Sequence, residues 1–68
     1  MEYNKKKMIK ELAELNKKLA GFEIAQIAGQ EQVTTQTIRN YLKGGVTTPS
    51  LAAAIIEAGK NIIKNKQN

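Results

Sequence analysis

The sequence predicts an all-α, compact four-helix domain, and three observations predict it. Apolar residues recur at three- and four-residue spacing in two long stretches, one from Met8 to Leu19 and one from Leu51 to Ile63. The β-branched residues are scattered rather than alternating, so no strand is expected. With two Tyr, one Phe and no Trp, the core must be built from Leu, Ile, Val and Ala, which suits packed helices. A chain of 68 residues has room for one modest core, so residues 1 to 68 are expected to form a single domain.

The first helix is expected over about residues 4 to 20, where Met8, Ile9, Leu12, Leu15 and Leu19 alternate with Lys and Glu. Asn4 suits an N-cap, Gly21 a left-handed C-terminal residue, and Glu14 stands four residues before Lys18, the favourable order for a surface pair. The apolar run Phe22, Ile24, Ala25, Ile27, Ala28 predicts a second helix over about 22 to 30. Gln30, Glu31 and Gln32 then break the pattern and mark a turn.

Thr34 or Thr35 is the expected cap of a third helix over about 34 to 43. Ile38, Tyr41 and Leu42 form its inward stripe, while Gln36, Arg39, Asn40 and Lys43 point outward, and Gly44-Gly45 ends it. Thr48-Pro49 is a cap followed by proline at the first helical position, which starts a fourth helix running over about 49 to 65. Its apolar residues Leu51, Ile55, Ile56, Ile62 and Ile63 form a face wider than one small core requires, so they are the expected surface of a homodimer.

Inventory excludes much chemistry. Without Cys or His there are no disulfides, no thiol or imidazole catalysis and none of the usual zinc sites, so neither a metal nor a cofactor is expected. The carboxylates are spread among lysines, and so short a chain has little volume for a water-excluding cleft, so an enzyme is not expected. No apolar run approaches the roughly 18 residues that span a bilayer, and residues 1 to 10 lack the apolar segment of a signal peptide. No membrane partner and a cytoplasmic, nucleoid-associated location follow as expectations. The net charge of +5 and pI near 9.7 favour a polyanionic partner through counterion release.

Between Gln26 and Leu42 a small residue, Ala28, precedes a turn, Val33, two threonines and Ile38, ending in the phrase Val33-Thr34-x-x-Thr37-Ile38-Arg39-x-Tyr41-Leu42-x-Gly44. Ala28 permits a close helix crossing, Val33 fills the corner, and Ile38 with Tyr41 or Leu42 anchors the third helix. This stretch resembles the helix-turn-helix of small bacterial and phage regulators of the Cro-like and repressor-like type. Two positions depart from that pattern: Gln32 stands where glycine is usual, and Glu31 where an apolar residue is common. A rival register places Gly29 at the turn and lengthens the connection by Gln30 to Gln32. The recognition helix is the same in both.

The resemblance implies double-stranded DNA as partner and repression by occupying an operator. It places Thr35, Gln36, Arg39 and Asn40 at base edges in the major groove, with Arg39 suited to guanine and the two amides to adenine. Thr34, Lys43, Thr47 and Thr48 fall near backbone phosphates, with Lys17 and Lys18 a second set. A different class of function, a helical protein-interaction module docking through the fourth helix, is the alternative.

Overall fold

Leu12, Ile27, Ile38, Leu42 and Ile55, drawn from four different helices, are enclosed at the centre of the molecule. They belong to a computed structural model that describes residues 5–66, in which α1 spans Lys5–Lys18, α2 Gly21–Glu31, α3 Thr35–Leu42 and α4 Pro49–Lys66. Among the described residues there is no strand. α1 and α2 each pack against both α3 and α4. The core is aliphatic apart from Met8 and Tyr41, as the shortage of aromatics predicts.

Each helix end has a local cause. Pro49 opens α4, and the Thr48 carbonyl accepts the Ala52 N–H at 3.0 Å. α3 closes in a Schellman arrangement: Gly44 takes φ 102°, its N–H donates to the Tyr41 carbonyl, and the Gly45 N–H donates to the Asn40 carbonyl at 2.9 Å. A side chain on Gly45 would stand 3.0 Å from the Asn40 carbonyl oxygen, so what favours the second glycine is the tight space beside that carbonyl rather than φ.

Two local expectations are corrected. Gly21 does not end α1 in a left-handed conformation; it is the first residue of α2, with Ala20 extended at the cap position. Ala20 has no side-chain acceptor, and the junction is secured instead by the Glu23 carboxylate, which accepts the Ala20 N–H at 2.7 Å. Among the described residues Glu14 and Lys18 form no ion pair; the long-range pairs are Lys60 with Glu11 at 3.0 Å and Lys66 with Glu23 at 2.7 Å. Lys5 to Lys7 are exposed in the first turn of α1, as the expected helix bounds have it, and the expected cap Asn4 lies outside the described residues.

The breadth of the apolar face on α4 also has a different cause. Ile55 and Ile56 are buried in the core, while Leu51, Ile62 and Ile63 pack against it and remain half-buried. α4 lies against α1 on one side and α2 on the other, so it must be apolar through a wide arc to serve one chain. Of the expected dimer face Leu51, Ile55, Ile56, Ile62 and Ile63, the place of two residues is corrected: Ile55 and Ile56 belong to the core, while Leu51, Ile62 and Ile63 are half-buried at its edge.

Candidate nucleic-acid interface

The connection between α2 and α3 is short because one residue makes the reversal. Gln32 sits at φ 58°, ψ 42°, in the left-handed region, and its N–H and that of Val33 both donate to the Ala28 carbonyl. A left-handed conformation costs a side-chain-bearing residue roughly 1 to 2 kcal/mol, which explains why glycine is favoured at such a place. Gly29, the rival turn residue, is inside α2, so the reversal falls at Gln32. Val33 then packs against the core, and Ala28 is buried under the crossing.

Thr34 is extended and caps α3: its hydroxyl oxygen accepts the Thr37 N–H at 3.2 Å, and the Thr34 and Thr37 hydroxyls stand 3.0 Å apart. α3 has only eight residues, and Ile38, Tyr41 and Leu42 bury one stripe of it. The opposite side presents Thr35, Gln36, Arg39 and Asn40, all exposed, with Lys43 exposed just beyond the helix. Sequence spacing thus places these five side chains correctly on the outer face.

The row has internal order. Gln36 Nε2 donates to Asn40 Oδ1 at 3.0 Å, which aligns the two amides one turn apart. The Arg39 guanidinium leans toward the start of α2, where a side-chain carbon on Gly21 would lie 3.8 Å from Nη2. Among the described residues Arg39 has no ion-pair partner. No carboxylate occurs between Glu31 and Glu57, so α3 and both of its flanking turns carry cationic and neutral side chains alone.

The loop after α3 is held by Tyr41. Its phenol is buried, its oxygen lies 2.8 Å from the Thr47 hydroxyl, and it accepts the Thr48 N–H at 2.9 Å. Burial pushes the phenol pKa up, but the hydrogen bonds with Thr47 and Thr48 outweigh it and hold the group below its ordinary value. Thr47 and Thr48, expected near phosphates, are thus exposed residues whose first task is to fix the loop to α3. Sequence reasoning treated Tyr41 only as an apolar anchor; its hydroxyl six and seven residues from two threonines was the available signal.

Lys17 and Lys18 are exposed in the last turn of α1, three to four residues before the glycine beside Arg39. The Lys66 ammonium lies 3.4 Å from the Lys18 carbonyl and pairs with Glu23, so the end of α4 is fastened to the junction between α1 and α2. Among the described residues no cluster of acidic, His or Cys side chains can hold a metal ion, and no helix is long and apolar enough to cross a membrane. No family model, curated protein or solved structure matches the chain.

Proposed function

We propose that the protein binds double-stranded DNA by inserting α3 into the major groove, and that it regulates transcription by occupying an operator. The observation that carries this reading is the sharp α2–α3 turn at Gln32, which leaves a capped helix with its polar row of Thr35, Gln36, Arg39 and Asn40 fully outward on a surface free of carboxylates. Base edges are read by side chains that offer paired donors and acceptors, and this row consists of such groups. Lys43, the Thr34 end of α3 and Lys17 and Lys18 supply positive potential for phosphates around it. A homodimer would present two such helices roughly 34 Å apart, one turn of duplex. A regulator of this kind works in the cytoplasm, on the nucleoid.

The test is fluorescence anisotropy of a labelled mixed-sequence duplex titrated with protein across a salt series. The affinity should fall log-linearly with salt. Lys43→Ala should make the slope shallower by about one ion. Once a preferred site has been selected, Arg39→Ala should lower discrimination by about 1 to 3 kcal/mol without loss of helicity. Absence of binding at low salt would overturn the reading.

A further inference from the structure

The positive charge of the chain is unevenly placed. α2 contains no Lys or Arg although the chain has 11. In α4, Lys60 and Lys64 line a groove on the α1 side, and Lys66 is held by Glu23. Between α2 and α4 runs a separate, open groove of about 520 Å³, lined by the carboxylates of Glu31 and Glu57 and by no cation. Among the described residues neither carboxylate has an ion-pair partner within the chain. The floor is Ala54, Ala58 and Ile62, all half-buried, and amides such as those of Gln30 and Asn61 stand along it.

We propose that this groove docks a basic amphipathic helix of a different protein. Length, floor and charge each define that occupant. The wall that α4 supplies runs from Ala54 to Asn65, about 16 Å, or three helical turns. Ala54 and Ala58, one turn apart, leave room for a helix to lie close and to set its own apolar residues, at three- and four-residue spacing, on the floor. Phe22, one turn before Gln26 on the same side of α2 and 73% exposed, extends the apolar surface beyond one end of the groove.

Charge fixes which way the occupant is polarised. The contact of Lys66 with Glu23 joins the last turn of α4 to the first turn of α2, so the two helices run in opposite senses and Glu31, at the end of α2, lies toward the Ala54 and Glu57 end of the groove. The negative end of the α2 dipole falls there too. The docked helix therefore carries Lys or Arg at that end. A polyanion has no cation to bind here, and no residue of the outward row on α3 lines the groove, so the proposal stands independently of the DNA reading. A second copy paired groove to groove would set carboxylates against carboxylates, which like-charge repulsion opposes.

Selection against the full chain, without DNA, from a displayed library of helical peptides of about four turns randomised on one face tests this. The chain carries a net charge of +5, so attraction to its surface at large would enrich acidic peptides. The groove should instead enrich peptides with Lys or Arg beside apolar residues at helical spacing. The enriched peptide, made synthetically, should shift the backbone amide resonances of Gln30, Glu57 and Ala58 in a nuclear magnetic resonance titration and leave those of Gln36 and Arg39 in place. The double variant Glu31→Gln, Glu57→Gln, its fold checked by circular dichroism, should bind that peptide about tenfold more weakly. Enrichment of acidic peptides, or of none, overturns the proposal. A basic peptide whose shifts map to α1 or α3, or whose affinity is unmoved by the two glutamines, overturns it equally.

Discussion

The Lys66 ammonium lies 2.7 Å from a carboxylate oxygen of Glu23, joining the last turn of α4 to the first turn of α2. Glu23 is buried, and the same carboxylate accepts the Ala20 N–H, so one charged group both caps α2 and fastens the end of α4. The hydrogen bond from Lys66 is the largest influence on its pKa; with the Ala20 N–H it outweighs desolvation and holds the value below that of an ordinary glutamate.

A lowered pKa in the folded state favours folding while the carboxylate is ionised. That contribution is complete above the unfolded value, about 4.3, and is lost as pH falls through the folded value. Thermal melts followed by circular dichroism between about pH 7 and pH 3 should therefore show stability declining at the acid end. Glu23→Gln should be less stable at neutral pH and should lose less on acidification. An acid limb as steep in Glu23→Gln as in the wild type would assign the decline to other carboxylates.

Tyr41→Phe removes a single oxygen that serves two partners, the Thr47 hydroxyl and the Thr48 N–H. The ring still fills its place in the core, so the change tests the hydrogen bonds alone. A lost bond that leaves a partly buried N–H unsatisfied costs about 1 to 3 kcal/mol. Urea denaturation should show a fall in this range, and hydrogen exchange at the Thr48 amide should accelerate while amides of α1 change with global stability only. An unchanged Thr48 amide would mean that the loop is held by its backbone and not by the phenol.

Gln32→Gly should stabilise the protein. The left-handed conformation at φ 58° costs glutamine roughly 1 to 2 kcal/mol, and glycine escapes this but loses more chain entropy on folding, which leaves a net gain of about 0.5 to 1 kcal/mol. The side chain is exposed, so no packing is lost. A rise in the urea midpoint with unchanged slope checks this. A fall would show that the glutamine side chain makes a contribution larger than its backbone strain.

Features written in adjacent residues were legible in the sequence. Thr48-Pro49 starts α4, Thr34 caps α3, and the spacing of Ile38, Tyr41 and Leu42 places Gln36, Arg39, Asn40 and Lys43 outward. Features that depend on a distant neighbour were not. Gly21 follows a helix and so resembles a C-terminal cap, but only the Glu23 carboxylate, folded back onto Ala20, reveals a helix start there. Phe22 counts as apolar in any periodic reading, yet it projects into solvent while the acidic Glu23 beside it is buried by Lys66. Ile55 and Ile56 suggested an interface because the arc that a helix must bury depends on how many helices flank it. The position of the Arg39 guanidinium beside Gly21 is likewise set by the crossing of two helices rather than by spacing along one.

Two glycines inside helices, equal by propensity, should behave oppositely. Gly59 is buried in α4 where α1 crosses it, and a side-chain carbon there would stand 2.9 Å from Leu15 Cδ1 and 3.0 Å from Cδ2. Leu15 is itself buried, so its branched end has little room to rotate away, and Gly59→Ala should destabilise by about 1 to 3 kcal/mol through overpacking. Gly29 is exposed in α2, and a carbon added there would meet nothing within 4 Å. Gly29→Ala should gain the ordinary helix-propensity difference, about 1 kcal/mol. Thermal melts of the two variants should move in opposite directions. Pairing Gly59→Ala with Leu15→Val tests the cause: if the α1–α4 crossing is the reason for the glycine, the smaller partner should make the alanine less costly than it is opposite leucine, whereas simple additivity would place the strain elsewhere.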